Sequence, residues 1–357
     1  MGEKYCTFGH LIVNGRFGDS MRKLAHIETI REIIPHGNAD SLEICKILGW
    51  TCVVLKGQFK VGEQVVFVEP DAILPEGRSE WEFMRARHFR VKTIRLRGVI
   101  SQGLVFKEEI LDNPMTYGPR LIGDDVTDLL GITKYQPYIP AQLAGTVKGS
   151  FPEFLHKTDE MRIQAVPELL EKHQGKKFYI TEKLDGSSMT VYLNNGEFGV
   201  CSRNMELKET EGNAYWKVAR ELDLQNKLSS FGVNIALQGE LIGMGVQGNK
   251  YKLSNLQFFV FNIFDIDKSH YLNYNDPLWE WLDGVNLERV PQLGIVDLNF
   301  KTIDELVEFS KGKSLLNKDI PREGIVLRPL VEEYDDDLRG RLSFKVINPI
   351  FLLEQED

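Results

Sequence analysis

From Ala25 to Phe106 the apolar residues fall in short strand-like runs. These are His26–Ile34, Leu42–Ile47, Thr51–Leu55, Gln64–Val68, Val91–Leu96 and Gly103–Phe106. Turn residues separate them: Pro35-His36-Gly37-Asn38-Ala39-Asp40, Lys56-Gly57, Val61-Gly62 and Arg97-Gly98. Short strands at regular spacing, with no long helical pattern between them, predict a small closed β-barrel. Ile132–Ser150 is rich in Pro, Tyr and Gly and predicts an extended strap. Pro167–His173 then reads as a short helix stopped by Gly175. From Lys177 strands dominate again, among them Met189–Leu193, the continuous apolar run Phe258–Phe264, Ile325–Leu327 and Leu342–Ile347. Helical spacing of Trp216, Val218, Ala219, Leu222 and Leu228 predicts a helix over Ala214–Ser229. Two more helices are predicted over Pro277–Leu282 and Ile303–Lys311. The pattern predicts an α+β protein with a barrel-like domain over 1–131, a linker over 132–150 and a larger, mainly antiparallel-sheet domain over 151–357.

Composition narrows the function classes. A chain of 357 residues is better divided into two cores than gathered in one. The net charge of −9 argues against a general nucleic-acid coat protein but leaves room for a local basic track. Cys6, Cys45, Cys52 and Cys201 have no Cys-x-x-Cys spacing, so they read as thiols in a reducing compartment and not as a zinc site. No apolar run is long enough to span a bilayer, and the N-terminus lacks a signal-peptide profile. The expectation is a cytoplasmic or otherwise intracellular protein, not secreted, with no membrane partner and no obvious protein partner.

Two stretches carry chemistry. The first is Arg85–Arg97, which holds Arg85, Arg87, Arg90, Lys92, Arg95 and Arg97 with no acid among them and with His88 and Phe89 interleaved. Cations neutralise phosphates and a ring stacks on a base, so the cluster predicts an RNA track. The second is Tyr179–Ser188, where an apolar strand ends in Lys183-Leu184-Asp185-Gly186 and a new strand begins at once. Asp-Gly suits a turn that needs positive φ, and Lys183 is expected at a tight exposed turn between two strands.

The order of features in the N-terminal third resembles the tRNA-binding OB module appended to some synthetases. An Ile-rich strand leads into Pro35–Glu43, then Cys45-Lys46-Ile47, then Arg95–Gly103. The larger domain is similar to the covalent nucleotidyltransferase superfamily, which holds ATP-dependent DNA ligases, RNA ligases and capping guanylyltransferases. Six motifs carry that likeness in order: Lys183-x-Asp185-Gly186, Ser202-Arg203-Asn204, Gly239-Glu240-Leu241-Ile242-Gly243, Phe258–Asn262, Glu323–Leu327 and Phe344-Lys345-Val346. The likeness implies an ATP-grasp-like ligase domain behind an N-terminal OB-type β-barrel.

It also implies roles. Lys183 would attack the α-phosphate of ATP and form lysyl-AMP. A free lysine has a pKa of about 10.4, so the amine needs a nearby cation to be unprotonated. Asp185, Glu240 and Glu323 would hold Mg2+ or Mn2+, mostly through waters. Lys345 would neutralise the α-phosphate, Arg203 and Glu240 would meet ribose or phosphate, and Phe261 would stack on the purine. Thr181, Glu182 and Arg162 complete the implied nucleotide site. Asn262 stands where many relatives carry Asp and receives no metal role. Ser343 stands where relatives carry a further lysine, a charge that Arg341 is the candidate to supply.

Capping enzymes and DNA ligases carry an OB domain after the last motif, whereas only a short tail follows Lys345 here. An N-terminal OB module joined to this domain is similar to the RNA ligase family typified by Deinococcus and Naegleria enzymes. That likeness implies sealing of 3′-OH/5′-phosphate ends of a broken RNA strand or nicked duplex, through lysyl-AMP and RNA-adenylate. A DNA nick ligase, or an RNA-binding protein with a relic nucleotidyltransferase fold, are the alternative readings.

Overall fold

A computed structural model describes residues 23–111, 120–135, 146–338 and 340–354. Cys6, the N-terminal Met1–Ser20 and most of the strap, including Pro137 and Pro140, lie outside the described residues.

The N-terminal domain is built from two three-stranded antiparallel sheets. One runs in the order Ala25–Thr29, Gln64–Val68, Leu104–Lys107, and the other Glu32–Pro35, Leu42–Ile47, Trp50–Leu55. Their buried faces share a core of Ile30, Ile47, Trp50, Phe67 and Val105. Leu48 and Gly49, at φ 47° and 72°, close the hairpin between Ile47 and Trp50, the geometry that matches strand twist. Arg97 and Gly98 do the same at φ 50° and 89° between Thr93–Leu96 and Val99–Gln102. This second hairpin joins the barrel through side chains: Ser101 Oγ accepts from the Val53 N–H at 3.0 Å. A second core, of Ala25, Ile27, Trp81, Met84 and Phe89, lies beside the first.

One element there departs from the pattern. Ser79–Arg87, to which the pattern assigns no element, forms 3-10 turns kinked at Trp81, whose φ is −126°. Trp81 and Met84, three residues apart, are its buried side, and a repeat of one apolar pair among charged residues is too short to show as a period.

The larger domain has two sheets. The first has seven antiparallel strands, in the order Val147–Ser150, Met205–Leu207, Glu197–Ser202, Ser187–Asn194, Ile235–Ile242, Gln257–Asp265, His270–Tyr271. Its outer face buries Met189, Val191, Leu237 and Val260 against Trp216, Leu224 and Leu282 from three short helices. The predicted helix over Ala214–Ser229 is two helices, Ala214–Glu221 and Leu224–Ser229, because Asp223 between them takes φ 52°. The second sheet has five strands, in the order Met161–Arg162, Phe344–Ile347, Gly324–Pro329, Lys177–Lys183, Gln292–Asp297. It packs Phe178, Ile180, Leu327 and Phe344 against Leu306 of the helix Ile303–Ser310 and Leu169 of the helix Leu169–Lys172. No helix among the described residues is long and apolar enough to cross a membrane.

Lys183 sits where the chain leaves one sheet for the other. Its strand pairs with Gly324–Pro329 and Gln292–Asp297, whereas Ser187–Asn194 pairs with Glu197–Ser202 and Ile235–Ile242. The Lys-Leu-Asp-Gly segment is therefore a crossing between sheets, not the tight turn of a hairpin. Gly186 is also there for a different reason than positive φ. A Cβ at 186 would stand 2.5 Å from Leu241 O and 2.4 Å from Ile242 Cγ2, so only glycine lets the crossing press against the Glu240 strand.

Candidate active site

A cavity of about 770 Å3 opens between the two sheets. Lys183, Asp185, Glu240, Phe261, Arg203, Arg328 and Lys345 all line it, with Thr181 and Glu182. Strand pairing explains the convergence. Lys183 lies opposite Gly324, and Lys345 opposite Val326, so the two strands that flank Gly324–Pro329 carry the lysines and Glu323 enters the sheet beside Lys183. Glu240 comes from the other sheet, opposite Ser188 just past the crossing.

Phe261 reaches the cavity through a β-bulge. Gln238 pairs with Asn262 and Gly239 with Val260, which leaves Phe261 as the extra residue. A bulge breaks strand alternation and re-aims a side chain. Val260 and Ile263 face the outer core, while Phe261 lines the cavity and Asn262 donates to Gln238 Oε1 at 3.1 Å. This is why the run Phe258–Phe264 shows no alternation in sequence.

Charge dominates the cavity floor. Lys183 Nζ lies 2.6 Å from Glu323 Oε1, and Lys250 Nζ lies 2.6 Å from Asp185 Oδ2. Burial pulls the Lys183 ammonium down, but Glu323 and Glu240 outweigh it and hold the group above the ordinary lysine value. Glu240 is pushed up to about 8, by burial first and then by Glu323 and Asp185 against the pull of Lys183. Burial likewise raises Glu323. Lys345 moves the other way, down to about 7, through burial and then the positive charges of Lys183 and Arg162. Lys183 is a quarter exposed, 25 % of its side chain, so it is half-buried in the cavity wall and not an exposed turn residue.

An OB-fold domain model matches residues 24–108, and a family model described as RNA ligase matches residues 176–347. Among curated proteins no sequence matches the chain. Among solved structures, Naegleria gruberi RNA ligase with PPi is 39% identical at a TM-score of 0.79, covering 93% of this chain and 98% of that one. The chain belongs to the RNA ligase family. A mutant of the Naegleria ligase with ATP and Mn is 38% identical at a TM-score of 0.80, covering 92% of this chain and 98% of that one. Another mutant, with AMP and Mn, is 39% identical at a TM-score of 0.80, covering 93% and 98%. The α+β class, the N-terminal OB fold and the ligase domain expected from sequence are all present.

Several residues of this RNA ligase stand elsewhere than the sequence suggested. Arg162 pairs in register with Lys345, but its guanidinium lies 3.4 Å from Asp71 and 5.4 Å from the Trp50 ring centre. It ties the OB domain to the ligase domain and is not part of the cavity wall. Arg341 does not take the place left by Ser343, because it is paired with Glu332 and donates to Asn262 Oδ1 at 2.6 Å. Arg328, which sequence reasoning missed, lies on the cavity wall and pairs with Glu160 at 2.5 Å. Its signal was present as an arginine inside the apolar strand Gly324–Pro329. Arg203 pairs with Asp159 at the cavity rim.

The basic segment splits in two. Arg85 is bonded to Glu82, and Arg90 lies over the Tyr135 ring at 3.4 Å and 4.0 Å from Asp71. Arg87, Lys92, Arg95 and Arg97 are exposed. Phe89 is only 3 % exposed and packs in the second OB core, so it is no stacking platform for a base.

Proposed function

We propose that this RNA ligase charges Lys183 with AMP from ATP and spends that AMP on sealing nicks or breaks in RNA. In the first step the Lys183 amine attacks the α-phosphate, a P–N bond forms, the bond to the β-phosphate oxygen breaks, and pyrophosphate leaves. In the second, an RNA 5′-phosphate oxygen attacks the lysyl-AMP phosphorus and the P–N bond breaks, giving RNA-adenylate and free Lys183. In the third, an RNA 3′-OH attacks the 5′-phosphate, a phosphodiester forms and AMP leaves. The observation that carries this reading is the convergence of Lys183, Glu240, Lys345 and Phe261 on one nucleotide-sized cavity, with Glu323 paired to Lys183 behind its wall. The solved Naegleria ligase complexes with ATP and Mn, and with AMP and Mn, support ATP and a divalent ion as cofactors.

The donor set fits such an ion. Glu323 Oε2 is buried with no hydrogen-bond partner, and burial with the charges of Glu323 and Asp185 raises Glu240 in spite of Lys183. Among the described residues no three carboxylates, histidines or cysteines stand close enough to grip an ion directly. Asp185, Glu240 and Glu323 therefore suit an ion that keeps its waters, as Mg2+ prefers to do. When bound, the ion draws charge from the α-phosphate and from the carboxylates that hold Lys183 protonated. Lys345 then balances the phosphate oxygens, Phe261 stacks on the purine, and Arg203 and Arg328 bound the cavity toward ribose and phosphate. Thr181 and Glu182 line its wall.

Arg87, Lys92, Arg95 and Arg97 serve as phosphate contacts for the RNA on the OB domain. Cys45, Cys52 and Cys201 are free and buried, which supports a reducing, intracellular setting.

The test is labelling with α-32P-ATP and divalent metal. Wild type is expected to take an acid-labile label, and Lys183→Ala none. A label that persists on Lys183→Ala would overturn the mechanism. Equal sealing of an all-DNA nick and one with a 3′ ribonucleotide would overturn the RNA acceptor and favour DNA nick ligation.

A further inference from the structure

A strained loop closes over the Lys183 crossing, with Gln247 on the cavity wall and Lys250 and Tyr251 outside it. Gln247, Gly248, Asn249 and Lys252 all have positive φ, at 43°, 68°, 49° and 55°. Asn249 braces the loop, donating to Leu253 O at 2.9 Å and accepting from Leu253 N–H at 3.0 Å. Three groups from it reach the crossing. Gln247 Nε2 donates to Gly186 O at 3.4 Å, Tyr251 Oη accepts from Asp185 N–H at 2.7 Å, and Lys250 Nζ donates to Asp185 Oδ2 at 2.6 Å.

Lys250 stands behind Asp185. Asp185 lines the cavity and Lys250 does not. The lysine is itself held on two sides. Its ammonium lies 4.6 Å from the Phe351 ring centre, and its carbonyl accepts from Asn317 Nδ2 at 2.9 Å. Phe351 is 2 % exposed and belongs to the C-terminal helix Pro349–Glu354, which packs on the strand Thr93–Leu96 of the OB domain. Tyr251, anchored among Leu184, Ile242 and Phe259, already fixes the loop to the crossing. A lysine aimed at the one carboxylate of the Lys-Leu-Asp-Gly segment is therefore not needed for loop closure.

We propose that Lys250 is a positioning residue for Asp185. It fixes the orientation in which that carboxylate meets the waters of the divalent ion, and Phe351 keeps Lys250 in place. This rests on the reading that Asp185 faces such an ion. Partners that orient a metal's carboxylates typically change metal affinity about 10–100-fold when removed. Charge alone gives the opposite sign, because removing a cation beside a carboxylate strengthens its pull on Mn2+. The two effects are therefore separable by direction.

The experiment measures free Mn2+ by electron paramagnetic resonance, with ATP present, in full-length Lys183→Met, which cannot be charged. Adding Lys250→Met is expected to weaken Mn2+ binding about tenfold, the low end for such partners. Lys250→Arg should keep most of the affinity, and Phe351→Leu should lower it less than Lys250→Met does. In proteins with Lys183 intact, the Mn2+ needed for half-maximal AMP labelling should rise by the same factor, with the rate recovering at high Mn2+. A merely structural loss would lower labelling at every Mn2+ concentration. Unchanged or tighter Mn2+ binding in the Lys250→Met protein overturns this inference alone. No Mn2+ binding in either protein, with no labelling of wild type, overturns the proposed function and this inference with it.

Discussion

Lys345 offers a test that reads a proton directly. Burial, Lys183 and Arg162 bring it down to about 7. At pH 8 a group with that pKa is about nine-tenths deprotonated, and at pH 6 about one-tenth. Beside the phosphates of ATP the charged form is favoured, so Lys345 should bind a proton as the nucleotide enters. ATP binding at pH 8 should then take up about 0.9 proton through Lys345, and about 0.1 at pH 6. The affinity through this group should fall as pH rises above about 7, by up to about tenfold per pH unit. The assay is titration calorimetry with EDTA, which blocks charging, in two buffers of different ionisation enthalpy. Lys345→Met serves as the reference, because Glu240, raised to about 8, is common to both proteins and cancels in the difference. Equal proton uptake by wild type and Lys345→Met at pH 8 would refute the assignment of Lys345 as the phosphate's counter-charge.

Other outcomes follow from the same geometry. Buried His26 lies 2.9 Å from Glu28 and 3.4 Å from Glu69; burial pulls it down, but the two carboxylates prevail and raise it from 6.5 to about 9. Its stabilisation, at most about 3 kcal/mol, is present in full below pH 6.5 and lost as pH rises through about 9; urea melts at pH 6 and pH 9.5 should differ for wild type and converge for His26→Gln. Gly186→Ala forces a Cβ against the Glu240 strand and should cost about 1–3 kcal/mol in urea melts, with AMP labelling at least tenfold slower; a stable, fully active variant would refute the close approach. Arg95→Ala and Arg97→Ala should leave AMP labelling intact, weaken nick sealing, and each reduce the salt slope of RNA binding by about 1. Equal loss of labelling and sealing would sink the separation of tasks between the domains.

Much of this protein could be read from the order of its residues, for local reasons. Gln64–Val68 and Leu42–Ile47 form as strands within the bounds their apolar runs suggest, because alternation and turn residues act over a few positions. The six motifs marked the cavity wall because nucleotide chemistry needs those residue types at strand ends, and Lys183, Glu240, Phe261, Arg203 and Lys345 all line it. What sequence could not supply is decided by pairing between distant segments. A lysine followed by Asp-Gly reads as a hairpin turn until strand partners place its two sides in different sheets. Phe261 and Asn262 face the same side only because a bulge opposite Gln238 breaks the period. Phe89 reads like Phe83 in sequence, yet one is 3 % exposed and the other 64 % exposed, since burial depends on a core assembled from Ala25, Trp81 and Val126. Arg162, Arg341 and Lys250 are alike as cations in the chain. Tertiary contacts alone give the first to Asp71 of the OB domain, the second to Glu332 and the third to Asp185, because a charge takes the role of whatever the fold sets within a few ångströms of it.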